Sequence, residues 1–290
     1  MTAKLSCLLI KIPATNSQDP NSMAKFLESV HRILPSGSTI SFEIVSRNNI
    51  LHYFITVVKE YQKYIESQLY ANYQDIEITQ TSDWFSFFEN PIIKEIKFSK
   101  KSFLPLITFN DLKDDPLNSL STYIEKLGKN EMMFIQLTLK RKSDHDMVKE
   151  LKGSLFFLSN PRYGKDGKVS PGFNKYGQHM FAGRLRIGFS SDKTINSRNQ
   201  LEIIGNNYKQ IIGPSNKLTP VSWNFWHSNK KLIAVTRKRQ VFLKHDYWTS
   251  AEIATIYHFP YTQSTTANIV QTTSRKAPAP SMLPRELYVK

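Results

Sequence analysis

Apolar and polar residues alternate through Thr39–Thr79 with a period that changes twice. Ile40, Phe42 and Ile44 alternate with Ser41, Glu43 and Val45, the two-residue period of a half-buried strand. Arg47-Asn48-Asn49 follows, a turn made of residues that tolerate positive φ. Leu51, Tyr53, Ile55 and Val57 alternate again, so the two runs predict a hairpin. From Val58 the spacing becomes three or four, and Val58, Tyr61, Ile65 and Leu69 form one helical stripe. Asp75-Ile76-Glu77-Ile78 returns to alternation and predicts another strand.

Upstream, Lys4 to Ile12 reads as a first strand ended by Pro13. Asp19-Pro20 starts a helix, with Asp19 as N-cap and Pro20 at the first helical position. Met23, Phe26, Leu27, Val30, Ile33 and Leu34 follow at helical spacing until Pro35-Ser36-Gly37. The order β-α-β-β-α-β over residues 1–80 predicts a ferredoxin-like domain with both helices on one sheet face. RNA-recognition motifs share that order. However, Ile50–Val57 lacks the basic-glycine-aromatic signature with which their sheets stack bases, so Tyr53 and Phe54 read as ordinary sheet residues.

Residues 81–260 predict a second, more irregular α+β domain. The aromatic run Trp84, Phe85, Phe87 and Phe88 reads as core packing by default, with docking on the first domain or on a partner as the alternative. Ile92–Phe98 and Met132–Leu139 are strands, Lys100–Phe109 continues extended, and Asp114-Asp115-Pro116 caps a helix that Gly128 closes. A helix over Asp146–Leu158, a surface loop over Asn160–Gly177 and a strand over Ala182–Phe189 follow. Ile195–Ile212 carries a helical stripe, Trp223, Phe225 and Trp226 form a second aromatic cluster, and Val241–Leu243 is a short strand. Thr249-Ser250-Ala251-Glu252 is a capping box that starts a helix through Ile256. Residues 261–290 are Thr- and Pro-rich linker or tail, with Ala277-Pro278-Ala279-Pro280 extended.

Charge is distributed unevenly. Residues 1–139 carry 14 Lys and Arg against 15 Asp and Glu, a net of −1, whereas residues 140–290 carry 25 against 9, a net of +16. The basic half predicts a polyanionic partner, either DNA or an anionic membrane surface. Arg141, Arg184, Arg186, Lys230, Lys231, Arg237, Lys238, Arg239 and Lys244 are the candidate contacts if the fold gathers them on one surface. Trp223 and Trp226 are candidates for stacking on unpaired bases. Cys7 is the only cysteine, which excludes a disulfide within the chain and fits a reducing cytoplasm. No apolar run is long enough to span a bilayer, and the N-terminus lacks a signal-peptide cleavage pattern.

Catalytic signatures are sparse. Gly164, Gly167 and Lys168 are too closely spaced for a phosphate loop, and no Ser or Thr follows the lysine. Asp83 with Glu95 and Lys97 has the acid…acid-x-lysine order of some metal-dependent nucleases, but the triplet is short and common by chance, and the solvated face of a strand is the preferred reading for Glu95 and Lys97. The seven histidines show no metal-ligand spacing, no G-x-S-x-G elbow is present, and Cys7 sits in an apolar strand. No cofactor is expected, and the chain reads as a non-enzyme.

Ile40–Val45 through Leu51–Val57, together with Ala251–Pro260 leading to Ser274–Pro280, resemble one known family. The match is to the N-terminal, non-ATPase region of bacterial membrane-associated ATPases of conjugative DNA transfer and type IV secretion (TraD/TraG- and HerA-like). The resemblance spans roughly residues 40–284 and contains no catalytic motif. In that family a membrane segment comes first and a P-loop ATPase domain follows the proline-rich linker; neither is found between Met1 and Lys290. It implies a non-catalytic assembly domain of a DNA-transfer motor, cytoplasmic or peripheral at the inner membrane face. A P-loop ATPase subunit or domain, DNA or anionic lipid, and further copies of the chain would be its partners. A self-standing, sequence-nonspecific nucleic-acid-binding protein is the alternative.

Overall fold

A computed structural model describes residues 4–73, 75–143, 145–147, 175, 178–192, 194–209, 211–222, 228–241, 245–261 and 269–272. The architecture is α+β. In chain order the elements are β1 (Leu5–Lys11), α1 (Pro20–Ile33), β2 (Thr39–Arg47), β3 (Ile50–Val58), α2 (Gln62–Asn72) and β4 (Glu77–Thr81). Then come β5 (Ile92–Phe98), α3 (Pro116–Ile124), β6 (Met132–Arg141), β7 (Met180–Ser190), α4 (Thr194–Tyr208) and β8 (Leu218–Pro220). They are followed by α5 (Asn229–Arg237), β9 (Asp246–Thr249) and α6 (Ser250–Ile256). The nine strands among the described residues belong to one sheet, ordered β4-β1-β3-β2-β6-β7-β5-β8 with β9 beside β7, and each of these strand pairs is antiparallel.

The sheet is built twice over. Outward from its centre the first half runs β2, β3, β1, β4, and the second half runs β6, β7, β5, β8. Each half therefore places its second, third, first and fourth strand in the same order, with α1 and α3 in the first crossover and α2 and α4 in the second. The halves join where β2 and β6 pair over eight residue positions, Thr39↔Lys140 to Ser46↔Met133. One sheet consequently runs through both predicted segments. β7 is the longest strand among the described residues: β5 lines its edge from Leu185 to Phe189, and β9 lines the same edge from Met180 to Gly183.

Local chemistry explains the elements that begin cleanly. The Asp19 carboxylate accepts the Asn21 amide at 3.0 Å, and the Asp115 carboxylate accepts the Leu117 amide at 2.8 Å; each is followed by a proline in the first helical turn. Thr249 and Glu252 exchange both bonds of a capping box. Asn48 and Asn49 adopt φ of 53° and 60°, so the two-residue β2–β3 turn has the left-handed geometry that matches strand twist.

Both faces of the sheet are covered. On one, Ile10, Phe42, Ile55, Leu137 and Ile187 pack against α1, α2, α3, α4 and α6 in the main core. On the other, Cys7, Val45, Phe54, Ile93 and Phe134 pack against Trp84, Phe85, Phe88 and Leu232. The expected half-buried β2 is thus buried on both sides, because the 82–90 segment and α5 lie over the face that alternation alone assigns to water. Gly188 is required here: an added Cβ would lie 2.1 Å from the Phe134 ring carried by the neighbouring strand.

The extended stretch expected after Lys100 forms no strand, and neither α5 nor β9 was foreseen. α5 is short, with Leu232 and Val235 as its apolar anchors among basic residues, and β9 has four residues. Each is too brief for a clear periodic signal. The predicted helix beyond Met147, the 160–177 loop apart from Lys175, the Trp223 cluster, residues 242–244 and the Pro-rich tail lie outside the described residues. Among the described residues, no helix is long and apolar enough to cross a membrane.

Candidate nucleic-acid interface

The second face of the sheet holds a row of polar side chains aligned across its strands. Cross-strand pairing puts Phe54 beside Glu43, Glu43 beside Gln136, Gln136 beside Arg186 and Arg186 beside Glu95. Glu43 is fully buried, yet each of its oxygens is bonded. Thr56 Oγ1 donates to Oε2 at 2.7 Å and Trp84 Nε1 donates to the same oxygen. Gln136 Nε2 donates to Oε1 at 3.1 Å and Arg239 Nε to the same oxygen at 2.9 Å. Buried charge survives only when paired and bonded in this way.

Arg239 carries this row out to the surface. Its Nη1 and Nη2 donate to the two oxygens of Asp83 at 2.6 Å each, a bidentate pair. Asp83 in turn accepts the Phe85 amide at 3.0 Å and so caps the 3-10 turn Trp84–Phe87. Arg239 itself is in the left-handed region, φ 49°, just after α5. Burial would depress its guanidinium, but the adjacent Glu43 and Asp83 carboxylates reverse this and hold its pKa above the ordinary value. At the other end Arg186 donates to Glu95 Oε1, Gln136 Oε1 and Gln240 O at 3.2, 3.2 and 2.7 Å. Burial pulls its pKa down, opposed by Glu95. Gln136 is the neutral relay, donating toward Glu43 and accepting from Arg186. Burial, with the nearby Glu43 charge, pushes the Cys7 thiol up to about 11, so it stays protonated at neutral pH.

The sequence-predicted cations therefore divide into separate groups. Arg186 and Arg239 are buried in the row, and they fasten strands rather than present charge to a partner. Arg184 is also buried, at the gap between β5 and β9, where it donates to Asp246 at 3.2 Å while Asp246 accepts the Phe98 amide. Burial raises that carboxyl to about 6. Arg141, at the end of β6, donates to the His31 carbonyl at 3.0 Å, away from α5. Lys230, Arg237 and Lys238 stand exposed on or beside α5, with Lys231 half-buried. Lys244, Trp223 and Trp226 lie outside the described residues. Of the predicted cations among the described residues, Lys230, Arg237 and Lys238 form the outward group.

Asp83, Glu95 and Lys97 are not assembled as a nuclease site would need. Asp83 and Glu95 each face an arginine, while Lys97 points to solvent. No group of three or more His, Cys, Asp or Glu suited to a metal ion occurs among the described residues.

The segment after the second capping box is equally informative. α6 packs on α1 and α3, one helix from each half of the sheet. Tyr257, His258 and Phe259 continue it into the core, and all are buried. Tyr257 donates to the Phe54 carbonyl at 3.2 Å, while His258 Nε2 meets Asp115 Oδ2 at 2.9 Å. Burial opposes ionisation of Asp115, but His258 and the Leu117 amide outweigh it and hold the carboxyl below its usual range. Inside α6, Glu252 pairs with the buried Lys175, whose pKa burial lowers. Beyond the next undescribed stretch, the Val270 and Thr272 amides donate to the carbonyls of Leu51 and Ile12.

Several of these groups left no local mark in the sequence. Glu43 read as an outward strand position, Gln136 as one residue of a strand with no face assigned, and α5 only as charge. The signal that pointed to this layer is the aromatic run at 84–88, read as core packing, whose Trp84, Phe85 and Phe88 pack on Cys7, Val45 and Phe54. No family model matches the chain, and neither does any characterised protein at significant similarity.

Proposed function

We propose that this chain is a non-catalytic assembly and positioning region of a DNA-transfer or type IV secretion-like motor, and that its two halves are ferredoxin-like units. The observation that carries the positioning role is the burial of Tyr257, His258 and Phe259 beyond α6, which rests on α1 and α3. Residues 269–272 are also tied to Ile12 and Leu51, so the described parts of this segment hold to the first half at separate points. Such anchoring suits a segment that positions a partner. The exposed cations of α5 support a polyanion as the second partner.

The alternative is a self-standing, sequence-nonspecific nucleic-acid-binding protein, favoured by the same α5 cations. The test is binding of the purified chain to a P-loop ATPase subunit, with DNA and anionic vesicles assayed in parallel over a salt series. Association with the ATPase and salt-sensitive binding to DNA support the motor role. DNA binding without an ATPase partner favours the alternative, and binding to none of the three overturns both.

A further inference from the structure

We propose that α5 and the Trp84–Phe87 turn form a surface for single-stranded nucleic acid, with Arg47 and Phe87 as contributors that the charge pattern of the sequence does not reveal. This rests on the polyanion reading above and specifies both the surface and the form of the ligand. Lys230, Ala234, Arg237 and Lys238 are the exposed positions of α5 and its end, at helical spacing, while Leu232 and Val235 face inward. α5 is fixed at both ends. The Ile93 amide donates to Asn229 Oδ1 at 2.8 Å and Asn229 Nδ2 donates to the Pro91 carbonyl at 2.9 Å; Arg239 anchors the far end. Cations held on a rigid element lose less freedom when they bind phosphates.

The turn beside α5 supplies planar groups. The Arg237 guanidinium lies 5.4 Å from the Phe85 ring centre, and that of Arg47, at the end of β2, lies 4.2 Å from the Phe87 ring centre. Phe85 and Phe87 belong to the same four-residue turn, so cations from two distant parts of the chain flank one element. Trp84 and Phe85 are buried, but Phe87 is 37% exposed. An arginine placed over a part-exposed ring offers an unpaired base both charge and stacking surface, and a duplex hides its base faces from such a site. Of the two acids in the segment, Asp83 and Glu89, the first is neutralised by Arg239.

The test is fluorescence anisotropy of a labelled oligothymidylate and of a duplex of equal length over a salt series. The full chain is compared with Arg47→Ala, Arg47→Ala with Phe87→Ala, and Arg237→Ala with Lys238→Ala, each checked for native urea unfolding. Lys113→Ala, remote from α5, is the control. The intact chain is expected to bind the single strand more tightly than the duplex. The Arg47/Phe87 variant should lose about tenfold in affinity for it. The Arg237/Lys238 variant should flatten the log–log salt slope by about 1.4, at ~0.7 per phosphate contact. Equal binding to the duplex overturns the single-strand assignment. Salt-sensitive binding that none of these variants changes overturns the surface while leaving a basic partner surface elsewhere. No oligonucleotide binding at low salt overturns this surface and the DNA reading together.

Discussion

Replacing Arg239 by Met removes one guanidinium from two carboxylates of very different exposure. Glu43 is fully buried and would keep its bonds from Thr56, Trp84 and Gln136 but lose the charge that offsets its own. Breaking a buried pair from one side costs about 3–5 kcal/mol. The Asp83 side chain is 44% exposed, so its share, screened by water, is below about 1 kcal/mol. Arg239→Met should therefore destabilise the protein by about 3–5 kcal/mol, nearly all of it through Glu43. Asp83→Asn, which keeps a side chain able to cap the 84–87 turn, should cost less than about 1 kcal/mol. The assay is urea unfolding, read as the shift in midpoint at an unchanged slope. If Arg239→Met costs no more than Asp83→Asn, then Arg239 is held only at its exposed side and the buried row does not fasten the second face.

Four further outcomes follow from the geometry. Gln136→Glu puts a second carboxylate beside Glu43 and should destabilise by several kcal/mol, of order 3; a neutral result in the same urea assay would deny the relay role of Gln136. Gly188→Ala should cost about 1–3 kcal/mol by driving a methyl into the Phe134 ring, with partial rescue by Phe134→Leu. Asp115→Ala removes a helix cap and the partner of His258 and should cost about 1–2 kcal/mol or more, measured as a lowered midpoint. Asp246 is held at about 6 by burial, against an unfolded value of ~3.9, so between those values the folded state keeps a proton that the unfolded state has released. Its contribution thus falls as pH rises through that window, and Asp246→Asn should remove this slope; parallel pH–stability curves for the two proteins would refute it.

Much of the fold was legible because its determinants are local. Asp19-Pro20, Asp115-Pro116 and the Thr249–Glu252 box cap helices through contacts within a few residues, and Asn48-Asn49 sets a two-residue turn by backbone preference alone. The alternation of Ile40, Phe42 and Ile44 correctly assigned one face of β2 to the core. The same alternation misassigned Ser41, Glu43 and Val45, since a strand pattern cannot tell water from a second layer of protein. Lys and Arg counts located positive charge but not its exposure, and Arg184, Arg186 and Arg239 proved to be buried.

The sequence by itself determined the starts of α1, α3 and α6, the β2–β3 turn, the order of strands and helices in the first half, and the basic bias of the second half. Tertiary structure alone decided that β2 pairs with β6, which brings Glu43 to Gln136 across 93 residues and lets one row of polar groups cross both halves. It also decided that α5 and the 84–87 turn lie together, leaving Lys230, Arg237 and Lys238 outside while Arg239 is drawn in. The division has a physical cause. Capping and turn energies depend on neighbours along the chain, whereas burial and charge pairing depend on which distant surface arrives.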